Sequence, residues 1–210
     1  RDGQVRGVHI KRTDGAEPEA SYLETEVVVL AIGHSARDTF AMLGKKDIPM
    51  ERKAFAVGVR IEHPQEMINR SQYGEEYPAG LPTAAYKVTR KVSGDRGVYS
   101  FCMCPGGYVV NASSEEGGLA VNGMSYQARD GRNANSAMIV TVRPEDFGSD
   151  GLLAGVEFQR RLERAAFQTA GGKVPVQLLG DFRQNCMSTG LGEVEPCIKG
   201  AWEFGDVRGI

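Results

Sequence analysis

Glu26-Val27-Val28-Val29-Leu30-Ala31-Ile32-Gly33-His34-Ser35 is an apolar, β-branched run closed by a glycine. A short uninterrupted run of this kind suits a strand buried on both faces, as in a parallel sheet, better than the alternating strand of a half-wet one. Ser35 then offers a helix N-cap, with Asp38 as a shorter-armed relative of the capping-box glutamate. Phe40, Ala41 and Leu43 supply an apolar helical face, and Gly44 stands where helices commonly end. Residues 27–44 therefore predict strand, tight glycine turn, helix. In doubly wound folds that turn lies in the crevice where nucleotides bind. Glycine permits close approach there, and the helix N-terminus presents unpaired N–H groups to negative oxygen. A βα turn without a ligand fits these residues equally well.

Upstream, Val8 and Ile10 alternate with polar neighbours, Asp14-Gly15 supplies a turn and Tyr22-Leu23 resumes an extended pattern, which predicts a hairpin. Downstream of Pro49 the character changes. Residues 54–61 predict a strand, Pro64 opens a short helix through Met67 and Ile68, and residues 74–82 read as loop. Short strands follow at 86–88, 98–101, 108–110, 119–121 and 137–142, punctuated by glycines. The clearest helix is 150–170, capped by Ser149 or Asp150, ended by Gly171-Gly172 and supported by Glu157 with Arg161. Residues 174–182 read as extended. Residues 186–210 are glycine-rich, show no evident helix or strand, and look cut off. The pattern predicts an α/β chain of α+β character in which residues 1–48 supply an opening parallel-sheet element. Residues 49–210 form a mostly antiparallel sheet domain with flanking helices.

Composition narrows the function classes. With 210 residues, 41% hydrophobic and 25% charged, the chain has the profile of a globular protein with a real core. A formal net charge of −2 argues against a nucleic-acid partner. The longest apolar run, 27–32, is too short to span a bilayer, so no membrane association is expected. Cys102, Cys104, Cys186 and Cys197 form neither a disulfide framework nor a zinc spacing, which points to reduced thiols in a cytoplasmic protein. No GxGxxG phosphate fingerprint is present: Gly190-Leu191-Gly192 is followed by Glu195 where the third glycine should stand.

Three groups of residues carry candidate chemistry. Cys102-Met103-Cys104-Pro105 would place both thiols on one strand face, giving a redox pair, a thiol nucleophile, or two small packed side chains. No histidine or basic residue adjoins them to lower a thiol pKa. Gly106-Gly107 would let a flat ligand approach closely. Arg132, Asn133 and Asn135 can pair with a carboxylate or phosphate and hydrogen-bond a carbonyl, or form a solvated loop. His9 and His63 read as structural. No Ser/His/Asp set, metal cluster or paired carboxylates is visible, so no catalytic residue and no metal ligand is assigned.

Residues 26–38 resemble the second flavin-contacting motif of a family of uncharacterised FAD-dependent dehydrogenases, flavoproteins with two dinucleotide-binding domains. The resemblance continues through Phe55-Ala56-Val57-Gly58-Val59-Arg60-Ile61-Glu62-His63-Pro64, Cys102-Met103-Cys104-Pro105-Gly106-Gly107, Asn122-Gly123-Met124-Ser125 and Gly131-Arg132-Asn133-Ala134-Asn135-Ser136. Their succession in order over most of the chain is what makes the resemblance specific. It implies an internal fragment: residues 1–48 as part of a Rossmann-like FAD-binding domain and residues 49–210 as an inserted domain facing the flavin ring. The N- and C-terminal parts of the polypeptide would be its partners. Ala31, Ile32, Gly33, His34 and Ser35 would lie along the FAD. Cys102, Cys104, Gly106, Gly107, Arg132, Asn133 and Asn135 would face flavin or substrate. The implied activity passes electrons between a donor, plausibly NAD(P)H, and a small organic substrate, and the fragment alone is expected to be inactive. Two other readings fit part of the sequence. One is a non-catalytic module keeping the fold; the other is an FAD-dependent RNA-modifying enzyme, against which the net charge of −2 speaks.

Overall fold

The computed structural model of the chain describes residues 3–11 and 21–210. The chain divides into two compact units, Arg1–Thr39 and Phe40–Ile210. In the first, β1 (Gly7–Ile10) and β2 (Ser21–Glu24) form an antiparallel hairpin with His9 opposite Tyr22, as the alternation predicts. The expected turn at Asp14-Gly15 lies outside the described residues. The run 27–32 differs from expectation. It is not a strand, and Val27 and Val29 are 73% and 82% exposed. A doubly buried strand needs neighbours to take its N–H and C=O groups, and no strand among the described residues pairs with it. Helix α1 (Arg37–Lys45) follows the glycine turn and runs through Gly44 rather than stopping there.

The second unit is mixed α/β with antiparallel sheets and few helices. In chain order it contains β3 (Phe55–Pro64), α2 (Gln65–Tyr73), β4 (Thr89–Val92), β5 (Arg96–Cys104), β6 (Gly107–Asn111) and β7 (Val121–Ser125). After these come β8 (Asn133–Val142), α3 (Ala154–Thr169), β9 (Val174–Val176), α4 (Leu179–Gln184), β10 (Ile198–Lys199) and β11 (Trp202–Phe204). The main sheet has the order β3-β8-β5-β4 with every pair antiparallel. A second sheet has the order β10-β6-β7, and β11 pairs with β9.

Several local expectations shift. The strand expected at 86–88 begins at Thr89, and only Val121 of the 119–121 run enters β7. Helix α3 starts later than predicted, after Leu153, which makes no side-chain cap. Glu157 bonds Arg160 at 2.6 Å instead of Arg161, because Arg160 also forks onto Glu115 while Arg161 lies over the Phe158 ring at 5.3 Å. Residues 174–182 split into strand and helix. The tail expected to be irregular supplies β10 and β11, which pair in parallel with β6 and β9. Those short strands carry too few residues for periodicity to reveal, and their register comes from partners distant in sequence.

The core sits where α3 covers the main sheet. Opposed residues of an antiparallel ladder share a face, so Phe55 and Val57 of β3 lie on one face with Val142 and Val140 of β8. Ala154 and Phe158 of α3 pack there with Phe147, which is 2% exposed. The Phe147 ring stacks on Phe55 at 5.2 Å, and Phe158 meets Phe55 edge-on at 6.0 Å. Burying a side chain of this size stabilises by about 1.5–3 kcal/mol.

Candidate functional site

The other face of the same ladder carries the chemistry. Side chains alternate along a strand, so Arg60 and Glu62 fall opposite to Phe55 and Val57, and Glu62 pairs with Asn135 across the ladder. Asn133 and Asn135 are both 0% exposed. Asn133 Nδ2 donates to Glu62 Oε1 at 2.6 Å and to the Glu195 carbonyl at 2.9 Å. The same Glu62 oxygen accepts the Cys197 N–H. Arg60 donates to Asn135 Oδ1 at 2.7 Å, to the Cys102 carbonyl at 3.2 Å and to Asn122 Oδ1 at 3.3 Å. This layer ties the main sheet to β7 and to the loop before β10. Three atoms within it, Arg60 Nε, Asn133 Oδ1 and Asn135 Nδ2, are buried without a partner among the described residues.

Gln65, the first residue of α2 and 6% exposed, anchors the adjoining turns. Its Nε2 donates to the Ala84 carbonyl and to Asn69 Oδ1, both at 2.9 Å, and its Oε1 accepts the Gly106 N–H at 2.8 Å. Its backbone N–H donates to the Arg132 carbonyl at 2.9 Å, and Gly131 donates to the Gly106 carbonyl at 3.1 Å. The segments 102–107 and 131–135, far apart in sequence, are thus brought together. Arg132 itself is exposed and donates to the Glu195 carbonyl at 3.1 Å.

The Gly106-Gly107 turn is buried and closely filled by the protein. Gly106 has φ of 50°, and a Cβ there would strike the Arg129 carbonyl; at Gly107 it would meet the Met124 carbonyl at 2.6 Å. The close approach that glycine permits is made here by the chain's own backbone. Gly33 contrasts with it: φ is 71° and nothing lies within 4 Å of an added Cβ. His34 and Ser35 of that turn touch each other at 3.3 Å, and residues 31–34 are exposed. Gly33 belongs to the unit Arg1–Thr39, and the 102–107 and 132–135 groups to the unit Phe40–Ile210.

The two thiols do not share a strand face. Cys102 has φ of 46° at a register break between Phe101 and Cys104, and this bulge reverses the alternation. Cys102 is therefore exposed and Cys104 buried. The Cys104 Sγ lies 3.3 Å from the Cys102 carbonyl. Contrary to the sequence reading, a basic group does adjoin them: the Arg60 guanidinium, delivered by strand pairing. Burial pushes the Cys104 thiol pKa up, and the Arg60 charge opposes that rise. Burial likewise lowers the Arg60 pKa from its ordinary value, opposed by both cysteines. His63, beside the Tyr86 ring at 5.5 Å, is held below its usual value by burial.

Sequence reasoning missed Arg60, Glu62 and Gln65. The expected strand at 54–61 stops short of Glu62, and which face of β3 carries a polar layer depends on the partner strands. A separate cleft of about 400 Å³, walled by Phe40, Met50, Phe55, Leu152 and Val156, has no serine, cysteine or histidine in its lining. Among the described residues no group of His, Cys, Asp and Glu is arranged to hold a metal ion, and no helix is long and apolar enough to cross a membrane. The polar layer offers hydrogen-bond donors, one guanidinium and two thiols, with its carboxylate already engaged. That set suits positioning and thiol chemistry more than acid–base catalysis.

Residues 54–210 match the family model described as FAD-dependent protein, C-terminal domain-like. The chain is also 56% identical over 187 residues to an uncharacterised protein of Clostridium beijerinckii, an alignment covering 87% of this chain and 35% of that protein. It therefore spans about a third of the length of that relative.

Proposed function

Since the chain belongs to the FAD-dependent protein, C-terminal domain-like family, we propose that it serves as a module of an FAD-dependent oxidoreductase. In this reading the enzyme is a dehydrogenase that passes electrons from a reduced nicotinamide to a small organic molecule. The extent of the family match, residues 54–210, carries the reading. The exposed, open Gly33 turn supports it, because residues 31–35 present backbone to which a flat, negatively charged cofactor can come close. Ala31, Ile32, Gly33, His34 and Ser35 would hold the FAD by backbone groups, and bound FAD would supply two-electron transfer. Arg132, the exposed cation of the second cluster, would orient an anionic group of the substrate. The buried layer around Asn133 and Asn135 would hold the start of β8, which follows that arginine, in place. Further parts of a longer polypeptide would complete the cofactor site, in a cytoplasmic enzyme with reduced thiols.

The test is anaerobic addition of NADH or NADPH to the longer polypeptide after loading with FAD. Bleaching of the visible flavin absorption by either nucleotide is the expected result. Bleaching by dithionite but by neither nucleotide would move the donor to another chemical class. Failure to hold any FAD would overturn the oxidoreductase reading.

A further inference from the structure

The bulge at the end of β5 places two thiols, a guanidinium and a strained backbone at one point. Cys102 adopts φ of 46°, a region that non-glycine residues rarely occupy unless their surroundings hold them there. They do so through the Cys102 carbonyl, which accepts from Arg60 at 3.2 Å and from the Cys104 thiol at 3.3 Å. The result is asymmetric: one thiol faces solvent, while the other is buried and turned back toward its neighbour. Phe101, beside them, is 57% exposed and leaves an apolar landing surface. Two purely structural cysteines would need neither the solvent-facing thiol nor the positive-φ bulge that exposes it.

We propose that Cys102 and Cys104 form a redox-active dithiol that exchanges with disulfides, Cys102 attacking and Cys104 resolving. The Cys102 thiolate attacks one sulfur of a small disulfide; the S–S bond breaks, one thiolate leaves and a mixed disulfide forms on Cys102. Cys104, as thiolate, then attacks the Cys102 sulfur, displacing the second thiolate and closing an intramolecular disulfide. Two protein thiols are oxidised, one small disulfide is reduced to two thiols, and the two protons pass to the departing thiolates. Arg60 is the positioning residue: it donates to the Cys102 carbonyl at 3.2 Å and so holds the bulge that turns the Cys102 thiol to solvent. This activity does not depend on bound flavin, so it stands or falls apart from the oxidoreductase reading.

The experiment is incubation of the reduced chain with oxidised glutathione, acid quenching, alkylation of free thiols, and intact-mass and peptide mapping. Of the four cysteines, the wild type is expected to lose two alkylatable thiols without retaining glutathione, with the new disulfide joining Cys102 to Cys104. Cys104→Ser is expected to stop at one glutathione on Cys102, and Cys102→Ser to leave Cys104 unmodified. Arg60→Gln should slow adduct formation on Cys102 while circular dichroism shows the fold retained. A disulfide that maps to Cys186 or Cys197, a stable wild-type glutathione adduct, or four unreacted thiols would overturn the proposal. The wild-type map decides the matter even if a variant fails to fold.

Discussion

At one end of the β3–β8 ladder Phe55 faces Val142 and packs on Phe147; toward the other, Glu62 faces Asn135 and holds Asn133 and the Cys197 N–H. The backbone is continuous between them, and the chemistry is opposite. The apolar end draws its stability from area removed from water, which is not directional and tolerates exchange of one hydrophobe for another. The polar end draws little net energy from each hydrogen bond but loses heavily when a partner is removed, because a buried group is then left unsatisfied. One end therefore supplies most of the stability, and the other fixes one arrangement of the strands and loops around Arg60, Cys102 and Arg132.

The largest effect is expected at the apolar end. Phe147→Ala removes a ring that is 2% exposed and should cost about 3–5 kcal/mol in chemical denaturation. A cost under 1 kcal/mol would mean that this cluster is not the core. Gly106→Ala puts a Cβ against the Arg129 carbonyl at a positive φ and should cost about 1–3 kcal/mol, separating the 102–107 and 131–135 segments. At the polar end, Asn133→Ala frees Glu62 and the Glu195 carbonyl and should cost about 1–3 kcal/mol, whereas Asn133→Asp should be worse because it sets two carboxylates together. If the alanine variant is neutral, the buried layer does not specify the strand arrangement.

The smallest effect lies at Asp146, whose carboxyl is held down at about 2 by the two-pronged hydrogen bond from Arg96 and by the Arg143 N–H. A carboxylate depressed in the folded state contributes stability above its ordinary pKa of 3.8 and loses it as pH falls toward 2. Asp146→Asn should remove that part of the acid dependence and leave the stability curve above pH 5 parallel to the wild type. An unchanged slope between pH 3.8 and 2 would contradict the pairing.

The same contrast explains what could be read from the sequence. The hairpin, most antiparallel strands and the long helix follow from local periodicity, and their existence was legible even where their ends moved. The run 27–32 was misread in context because its composition states a demand for neighbours without supplying them. The two-residue strand β10 and the three-residue strand β11 were invisible because short parallel pairings carry no local signal. At the site, Arg132, Asn133 and Asn135 were legible as a polar motif, but their engagement by Glu62 and Arg60 depends on long-range register. The Cys102 bulge could not be read either, since nothing in Cys-Met-Cys-Pro announces a positive φ.

Membership of a flavoprotein is tested by the visible absorption spectrum of the longer polypeptide as purified, after gel filtration to remove free cofactor. Flavin bands that travel with the protein and weaken when Gly33 is replaced by valine are the expected result. A colourless protein that stays colourless after incubation with FAD would contradict it.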